Sequence, residues 1–357
     1  MLDYENIFAG KESFSASAVA EILKVSPLET TNFVFNDASV LTSLTTKGQF
    51  CVVDVNDQYI LRFPKNNNLK DKNNISLEDL RSESKVTNAI FPFIKSTRIS
   101  KVSLVEGEYP FAIHEKIKGT ELTKSDYDAL PKDKKILFAT ELATFLAELH
   151  SIPLNEVHIE DKRHLDPMKQ DKQQIREILR QYGISLHPHN NSEDDLVCCH
   201  NDIHPGNIGV DLSNNVNILQ GVFDFGISGV NTRTADFYKI YDFDKNLCQN
   251  VINHYNQISE KKVNISDVEN QFLCWCALNI QLAEGKTQQI VDAMEKKLAL
   301  YTQHKNNHKN IECNPDKGKI SALRGITLPS QASNIRESST KQYRHVIDIK
   351  KLGRGNF

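Results

Sequence analysis

The chain has 357 residues, 39% of them apolar and 25% charged, with a formal net charge of −3. That length allows two lobes or domains of ordinary soluble composition, and the slightly negative balance argues against a protein built as a whole to bind nucleic acid. No run of about 18 apolar residues is present, so no membrane-spanning helix is expected, and Met1-Leu-Asp-Tyr-Glu5 has neither the basic nor the apolar region of a signal peptide.

Seven cysteines fall at irregular spacings. Cys198 and Cys199 would point to opposite faces of a strand, and Cys274 and Cys276 diverge on a helix. Neither pair has metal or disulfide spacing, so free thiols in a reducing cytoplasm are expected.

Ser15 to Lys24 places Ala, Val, Ile and Leu on one side of a helix. Strands are expected from Val34 to Leu41, Phe50 to Val55 and Gln58 to Phe63. Between the first two, Ser43 to Gln49 reads as a hairpin loop. Its N–H groups and hydroxyls, Thr46 among them, also suit covering an anion. In the third strand Tyr59, Leu61 and Phe63 share one face, and Ile60 and Arg62 the other. On an inner face, Arg62 can hold phosphates while Ile60 covers a base. An exposed arginine on an edge strand satisfies the same pattern.

Asn66 to Asn74 is polar and lysine-rich, as a surface loop would be. Ser76 to Phe91 reads as a helix with Glu83 in its middle, either solvated or reaching Arg62. Tyr109 to Ile117 reads as a strand, and Lys118-Gly119 lets the chain turn into a second lobe. Asp133 to His150 is a long helix with Ile136, Leu137, Leu142, Phe145, Leu146 and Leu149 at helical spacing. Ser151-Ile-Pro153 stops it, and His150 reads as a packed or capping histidine. Residues 155–195 are polar with one helical patch, Lys169 to Tyr182. His187-Pro-His189 lacks partners at ligand spacing and reads as a loop.

Leu196 to Cys199 is a short apolar run that delivers a polar turn, His200-Asn-Asp202-Ile-His204-Pro-Gly-Asn207. Ile218 to Phe225 is a second strand carrying Asp224. Ser213-Asn-Asn215 is a turn signal between them. The resulting hairpin brings Asn207 and Asp224 together with Asp202 nearby. Two carboxylates and an amide around one small volume suit Mg²⁺ and its preference for oxygen ligands. A carboxylate off the metal can orient and deprotonate a hydroxyl. Beyond Asp224 come Asp236-Phe-Tyr-Lys239 and helices to about residue 303, among them Phe272 to Leu282 with Trp275, read first as core. Lys309 to Phe357 sets ten Lys or Arg against four Asp or Glu and reads as a solvated basic extension.

Tyr59-Ile-Leu-Arg62, Glu83, Ile117-Lys-Gly119, Phe145-Leu-Ala-Glu-Leu-His150, the 200–207 turn, Asp224-Phe-Gly226 and Asp236-Phe occur in this order. Together they resemble the aminoglycoside phosphotransferase and choline kinase-like family over roughly residues 30–300. Cys199-His-Asn-Asp202, Gly221-Val-Phe-Asp-Phe-Gly226 and Asp236-Phe-Tyr look most like the aminoglycoside 2″-phosphotransferases.

The resemblance implies an α+β, bilobal, protein-kinase-like fold. An N-lobe (1–116) with an antiparallel sheet and a helix would cover ATP or GTP. A mainly helical C-lobe (117–305) would carry catalysis and the acceptor site, and a basic tail (306–357) would follow. Asp202 would be the catalytic base, and Asn207 and Asp224 would bind Mg²⁺. Arg62, paired with Glu83, would hold the nucleotide's phosphates. Glu115 and Ile117 would meet its base through backbone groups, Ile60 and Phe223 would sandwich it, and Asp236 would brace the catalytic loop. His114, where that strand meets the base, bears on the choice between ATP and GTP.

Two departures from the family stand out: Arg62 stands where lysine is usual, and the phosphate loop is poor in glycine. Asp236 follows Asp224 by only 12 positions, with no Ala-Pro-Glu, and His204 stands where protein kinases place a lysine. Both favour a small-molecule acceptor. Asp242, Asp244 and Glu284 would meet a cationic acceptor or lie solvated. The competing readings are a non-catalytic binding protein on a kinase fold and a protein kinase.

Overall fold

Alternation in Tyr59-Ile-Leu-Arg-Phe63 becomes a strand with Leu61 and Phe63 fully buried and with Ile60 and Arg62 half-buried on the opposite face. In this computed structural model the described residues are 16–25, 41–45, 50–64, 75–107, 110–169, 172–187, 195–283 and 288–312. Helix α1 (Ala16–Val25) precedes strands β1 (Leu41–Thr45), β2 (Phe50–Val55) and β3 (Tyr59–Pro64). Helix α2 (Ile75–Ile90), β4 (Val102–Val105), β5 (Phe111–Glu115) and β6 (Thr120–Glu121) follow. Next come α3 (Lys124–Ala129), α4 (Lys132–His150), α5 (Lys172–Gln181), β7 (Leu196–Cys199), β8 (Ile208–Val210), β9 (Leu219–Val222) and β10 (Gly229–Thr232). Helices α6 (Tyr238–Phe243), α7 (Lys245–Ile258), α8 (Ile265–Ala283) and α9 (Gln288–Glu312) complete the described chain.

Five strands form one antiparallel sheet in the order β1-β2-β3-β5-β4. Its two faces are apolar for different partners. Val19, Ile22 and Leu23 of α1 join Val53, Val55, Leu61, Phe63, Phe111 and Ile113 in one core. Leu80 of α2 joins Phe50, Val102 and Ala112 on the other. Register places Arg62 between Val52 and Ala112, and Ile60 between Asp54 and His114. The remaining strands are short: β10 pairs with β7, and β6, β8 and β9 form a three-stranded sheet.

Helix α4 buries Leu142, Phe145, Leu146 and Leu149, as the spacing predicts, together with Phe138, and packs on α7; Ile136, expected on the same face, is instead 40% exposed, and Leu137 is half-buried. Its polar face also contributes. The Glu141 carboxylate accepts from the amides of Ile218 (3.1 Å) and Leu219 (2.8 Å), clamping the entrance to β9. Glu148 accepts from the amides of Lys95 and Ser96, both at 2.9 Å, in the turn after α2.

The chain divides into two compact units. One takes in the described residues of 1–163 and 190–268, the other those of 164–189 and 269–357. The lobe boundary expected after residue 116 lies inside the first. In the second, the Asn270 side chain bonds both backbone groups of His187, at 2.9 and 3.0 Å. Trp275 is buried beside Phe272, with the Lys297 ammonium 5.0 Å from its ring centre.

Some elements differ from the sequence expectation. Of the strand expected over 34–41, residues 34–40 lie outside the described residues, and Leu41 instead opens β1. Residues 43–45, expected in a loop, are paired: Leu41 faces Val55 and Ser43 faces Val53. Backbone pairing carried the ladder past the point where the side chains turn polar. Residues 46–49, including Thr46, lie outside the described residues. Helix α9 runs through 306–312, where a tail is expected, and 313–357 lie outside the described residues. No described helix is long and apolar enough to cross a membrane.

Candidate active site

Strand β7 is buried along Val197, Cys198 and Cys199 and delivers His200 and Asn201 into the polar turn. Asn201 has φ +64°, a left-handed conformation that asparagine tolerates better than most residues. The turn is held from beneath by Asp236, 1% exposed, which accepts from the amides of His200 (3.0 Å) and Asn201 (2.6 Å). Asp236 also meets His150 Nε2 at 3.1 Å, and His150 Nδ1 meets the Tyr255 hydroxyl at 3.0 Å. Arg233 donates to the same hydroxyl, and to Asp195 at 2.9 Å. Burial lowers the His150 pKa more than Asp236 raises it. A neutral ring donates from Nε2 to Asp236 and accepts at Nδ1 from Tyr255. Arg233 Nε and Nη1, the Tyr255 hydroxyl, both His150 ring nitrogens and both Asp236 oxygens therefore each have a directional partner, as buried polar groups require.

The same turn is tied to the segment carrying Asp224. His200 Nε2 meets the Phe223 carbonyl at 3.0 Å, and the Phe223 amide donates to the Asn207 carbonyl at 3.0 Å. Asp224 has φ +69°. Pro205–Asn207 forms one 3₁₀ turn capped by His204, whose Nδ1 accepts from the Gly206 amide at 3.1 Å.

Within this frame the Asp202 carboxylate is divided. Asn207 Nδ2 donates to Oδ2 at 3.2 Å and to the Asp202 carbonyl at 3.0 Å. The Lys239 ammonium contacts Oδ1, and His204 Nε2 lies 3.7 Å from it. Burial alone would raise the Asp202 pKa. The charges of Lys239, His204 and His200 outweigh it and hold the group at about 2. Burial likewise disfavours the Lys239 ammonium, yet Asp202 raises its pKa above the ordinary lysine value. The pair is ionised across the physiological range.

Arg62 Nη1 lies 2.5 Å from Glu83 Oε2 and 3.5 Å from Asp224 Oδ1, with its guanidinium carbon 4.3 Å from the Phe50 ring centre. The strand cation, the α2 carboxylate and Asp224 thus form one cluster. With the Asn207 nitrogen turned to Asp202, its amide oxygen is the atom suited to a metal. An amide oxygen and a carboxylate are hard donors that fit Mg²⁺.

At the other end of β5, the Glu115 carbonyl accepts from Ser100 Oγ at 2.7 Å, and its amide donates to the Lys101 carbonyl at 3.1 Å. Ile117 rests over two glycines: a Cβ at Gly221 would fall 2.7 Å from Ile117 Cγ2, and one at Gly209 2.9 Å from it. Ile60 and Phe223 are half-buried. His114 is buried with Nε2 unpartnered and Nδ1 4.0 Å from Glu83 Oε1, and burial keeps it neutral.

Of the acidic residues considered for an acceptor, Asp244 caps α7 through the Leu247 amide (2.7 Å) and pairs with Lys124 (3.1 Å). Asp242 adds to the field on Lys239, and Glu284 lies outside the described residues. Lys239 was not singled out by sequence reasoning. The available signal was a lone lysine in Tyr238-Lys-Ile-Tyr-Asp-Phe243, three residues after Asp236.

The family model described as the phosphotransferase enzyme family (APH) matches residues 50–262. No curated protein matches the chain. Among solved structures, the chain is similar to the GDP and kanamycin complex of APH(2″)-IIIa, with TM-score 0.60 at 16% identity over 80% of this chain and 99% of that one. It is similar to the gentamicin complex of APH(2″)-IIa, with TM-score 0.53 at 20% identity over 81% and 97%. It is also similar to a macrolide 2′-phosphotransferase type I, with TM-score 0.51 at 12% identity over 81% and 99%. These likenesses establish a kinase-like fold.

Proposed function

The chain belongs to the phosphotransferase enzyme family, and from that premise we propose that it moves the γ-phosphoryl group of ATP or GTP to a hydroxyl of a small molecule, an aminoglycoside or a similarly hydroxylated metabolite. The observation that carries this reading is the divided Asp202 carboxylate beside the Arg62–Glu83–Asp224 cluster. One anion is available to a hydroxyl, and a separate charged group is available to phosphates and metal.

In this mechanism Asp202 orients the acceptor hydroxyl and receives its proton as the bond to phosphorus forms. The bond from phosphorus to the β-phosphate oxygen breaks, and its electron pair leaves with the diphosphate. A pKa of about 2 makes Asp202 a weak base. Its service is positioning and late proton acceptance, which suits a loose transition state in which little proton transfer precedes bond formation. Arg62, fixed by Glu83, holds the donor phosphates. Asn207 and Asp224 would hold Mg²⁺, which when bound neutralises phosphate charge. Ile60 and Phe223 would enclose the base, with the backbone at Glu115 and Ile117 at its edge. A cytoplasmic setting supplies the nucleotide and suits the six described cysteines, all buried thiols.

Support for a small acceptor comes from the 12-residue interval between Asp224 and Asp236, which lacks the segment that docks peptides in protein kinases. The neighbouring structures hold GDP, kanamycin and gentamicin, and one is a macrolide enzyme. A nucleotide-consumption screen over kanamycin, gentamicin, a macrolide and small amino-alcohols, with ATP and GTP in turn, tests the reading. Turnover with one acceptor class that Asp202→Ala abolishes is expected. Consumption unaffected by Asp202→Ala would overturn it.

A further inference from the structure

Lys239 is not used in the mechanism above, yet it makes the closest contact to the residue at its centre. Its ammonium touches Asp202 Oδ1, and the two side chains are 21% and 14% exposed. The pair is largely withdrawn from water but still opens to it. Such a pair is weak evidence for a role in stability, because desolvation offsets much of the attraction. The other Asp202 oxygen is taken by Asn207, so Lys239 marks the side of the carboxylate away from that amide. The second cation of the site, Arg62, is already engaged with Glu83 and Asp224. His204 offers one ring nitrogen at 3.7 Å, its other being used to cap the turn.

We propose that Lys239 binds the transferred phosphoryl group, holding an oxygen of the donor's terminal phosphate while Asp202 holds the ammonium. The inference rests on the phosphotransfer reading above. A hydroxyl activated by Asp202 lies within about 3 Å of that carboxylate, and the phosphorus must come within roughly 3.5 Å of the hydroxyl oxygen. An ammonium already on the carboxylate is then one hydrogen bond from the equatorial phosphoryl oxygens, where the transition state spreads its charge. An ammonium has three donors, so it can keep Asp202 and add phosphate. It is also tied to the loop through the chain, because Lys239 follows Asp236 by three residues and Asp236 holds the loop's amides. The lysine gives up no proton in this role.

The test is calorimetric binding of the non-hydrolysable β,γ-imido analogues of ATP and GTP, and of ADP and GDP, all with Mg²⁺, to the wild-type protein, Lys239→Met and Lys239→Arg. The Met variant should lose about ten- to hundredfold in affinity for the triphosphate analogue, the size of one hydrogen bond to a charged group. It should keep its diphosphate affinity, and Lys239→Arg should recover most of the loss. Since Lys239→Met leaves Asp202 without its partner, the substitution is repeated on Asp202→Asn, where the same selective loss is expected. Equal loss for both nucleotides, or none, overturns the proposal while leaving phosphotransfer standing. A wild-type protein that binds neither nucleotide overturns the reading beneath it.

Discussion

In the proposed transfer Asp202 is the group that meets the acceptor hydroxyl, and its surroundings suit positioning better than strong basicity. Replacing it by Asn keeps the shape and the Asn207 contact but removes the charge. We expect Asp202→Asn to lower kcat by about 10²–10⁴ with nucleotide affinity little changed, as read from steady-state kinetics beside calorimetry. A second residue is informative through pH. Asp79 sits one helical turn before Glu83, and burial pushes its carboxyl up to about 6, against the pull of Arg62 and Lys162. Between the unfolded value of 3.8 and about 6 the folded chain therefore binds the extra proton. Stability falls as pH rises through that window and stays reduced above it. Asp79→Asn should raise Tm near about pH 7.5 and give no advantage near about pH 3.5. Equal gains at both values would mean that the carboxyl's charge is not the cause. At this scale the sequence was legible where residues sit in fixed spacing, as in the 200–207 turn. Lys239 was not legible, because a lone lysine on a short apolar helix carries no spacing signal, and only folding shows where its ammonium ends.

At the scale of elements, helix α4 joins the pieces. Glu148 holds the turn after α2, Glu141 holds the entrance to β9, and His150 at its C-terminus holds Asp236. The apolar spacing of this helix was readable in the sequence from Leu142 onward, but not at Ile136, which faces out. Its three polar anchors were not, because their partners are backbone amides or residues some 50 to 86 positions away. Tyr255→Phe removes the hydroxyl shared by His150 and Arg233. It should cost about 1–3 kcal/mol in denaturant unfolding by leaving both buried groups short of a partner. Gly221→Ala places a methyl 2.7 Å from the Arg98 carbonyl oxygen and from Ile117. It should cost about 1–3 kcal/mol and raise KM for the nucleotide, because Ile117 must shift at the base end of the site. Unchanged KM with lowered stability would separate Ile117 from nucleotide binding. Strand β1 shows a limit of a different kind: residues 43–45 looked like a loop by their hydroxyls, but backbone register with β2 made them strand.

For the whole molecule, the order of motifs along the chain already pointed to a kinase-like fold, and family membership over residues 50–262 bears that out. The pairing of β3 with β5 and the closure of the charged clusters join segments far apart in sequence, which no local pattern encodes, whereas β1–β2, β2–β3 and β4–β5 pair as neighbours along the chain. The proposed reaction carries phosphate from a nucleotide to a small hydroxylated acceptor through Asp202. Transfer of radiolabel from γ-labelled ATP or GTP tests it most directly, with the acceptor found by screening and the products separated by size. Label is expected to move to the small molecule with the wild-type protein and to stay in the nucleotide with Asp202→Asn. Label appearing on protein, or moving equally fast with Asp202→Asn, would contradict it.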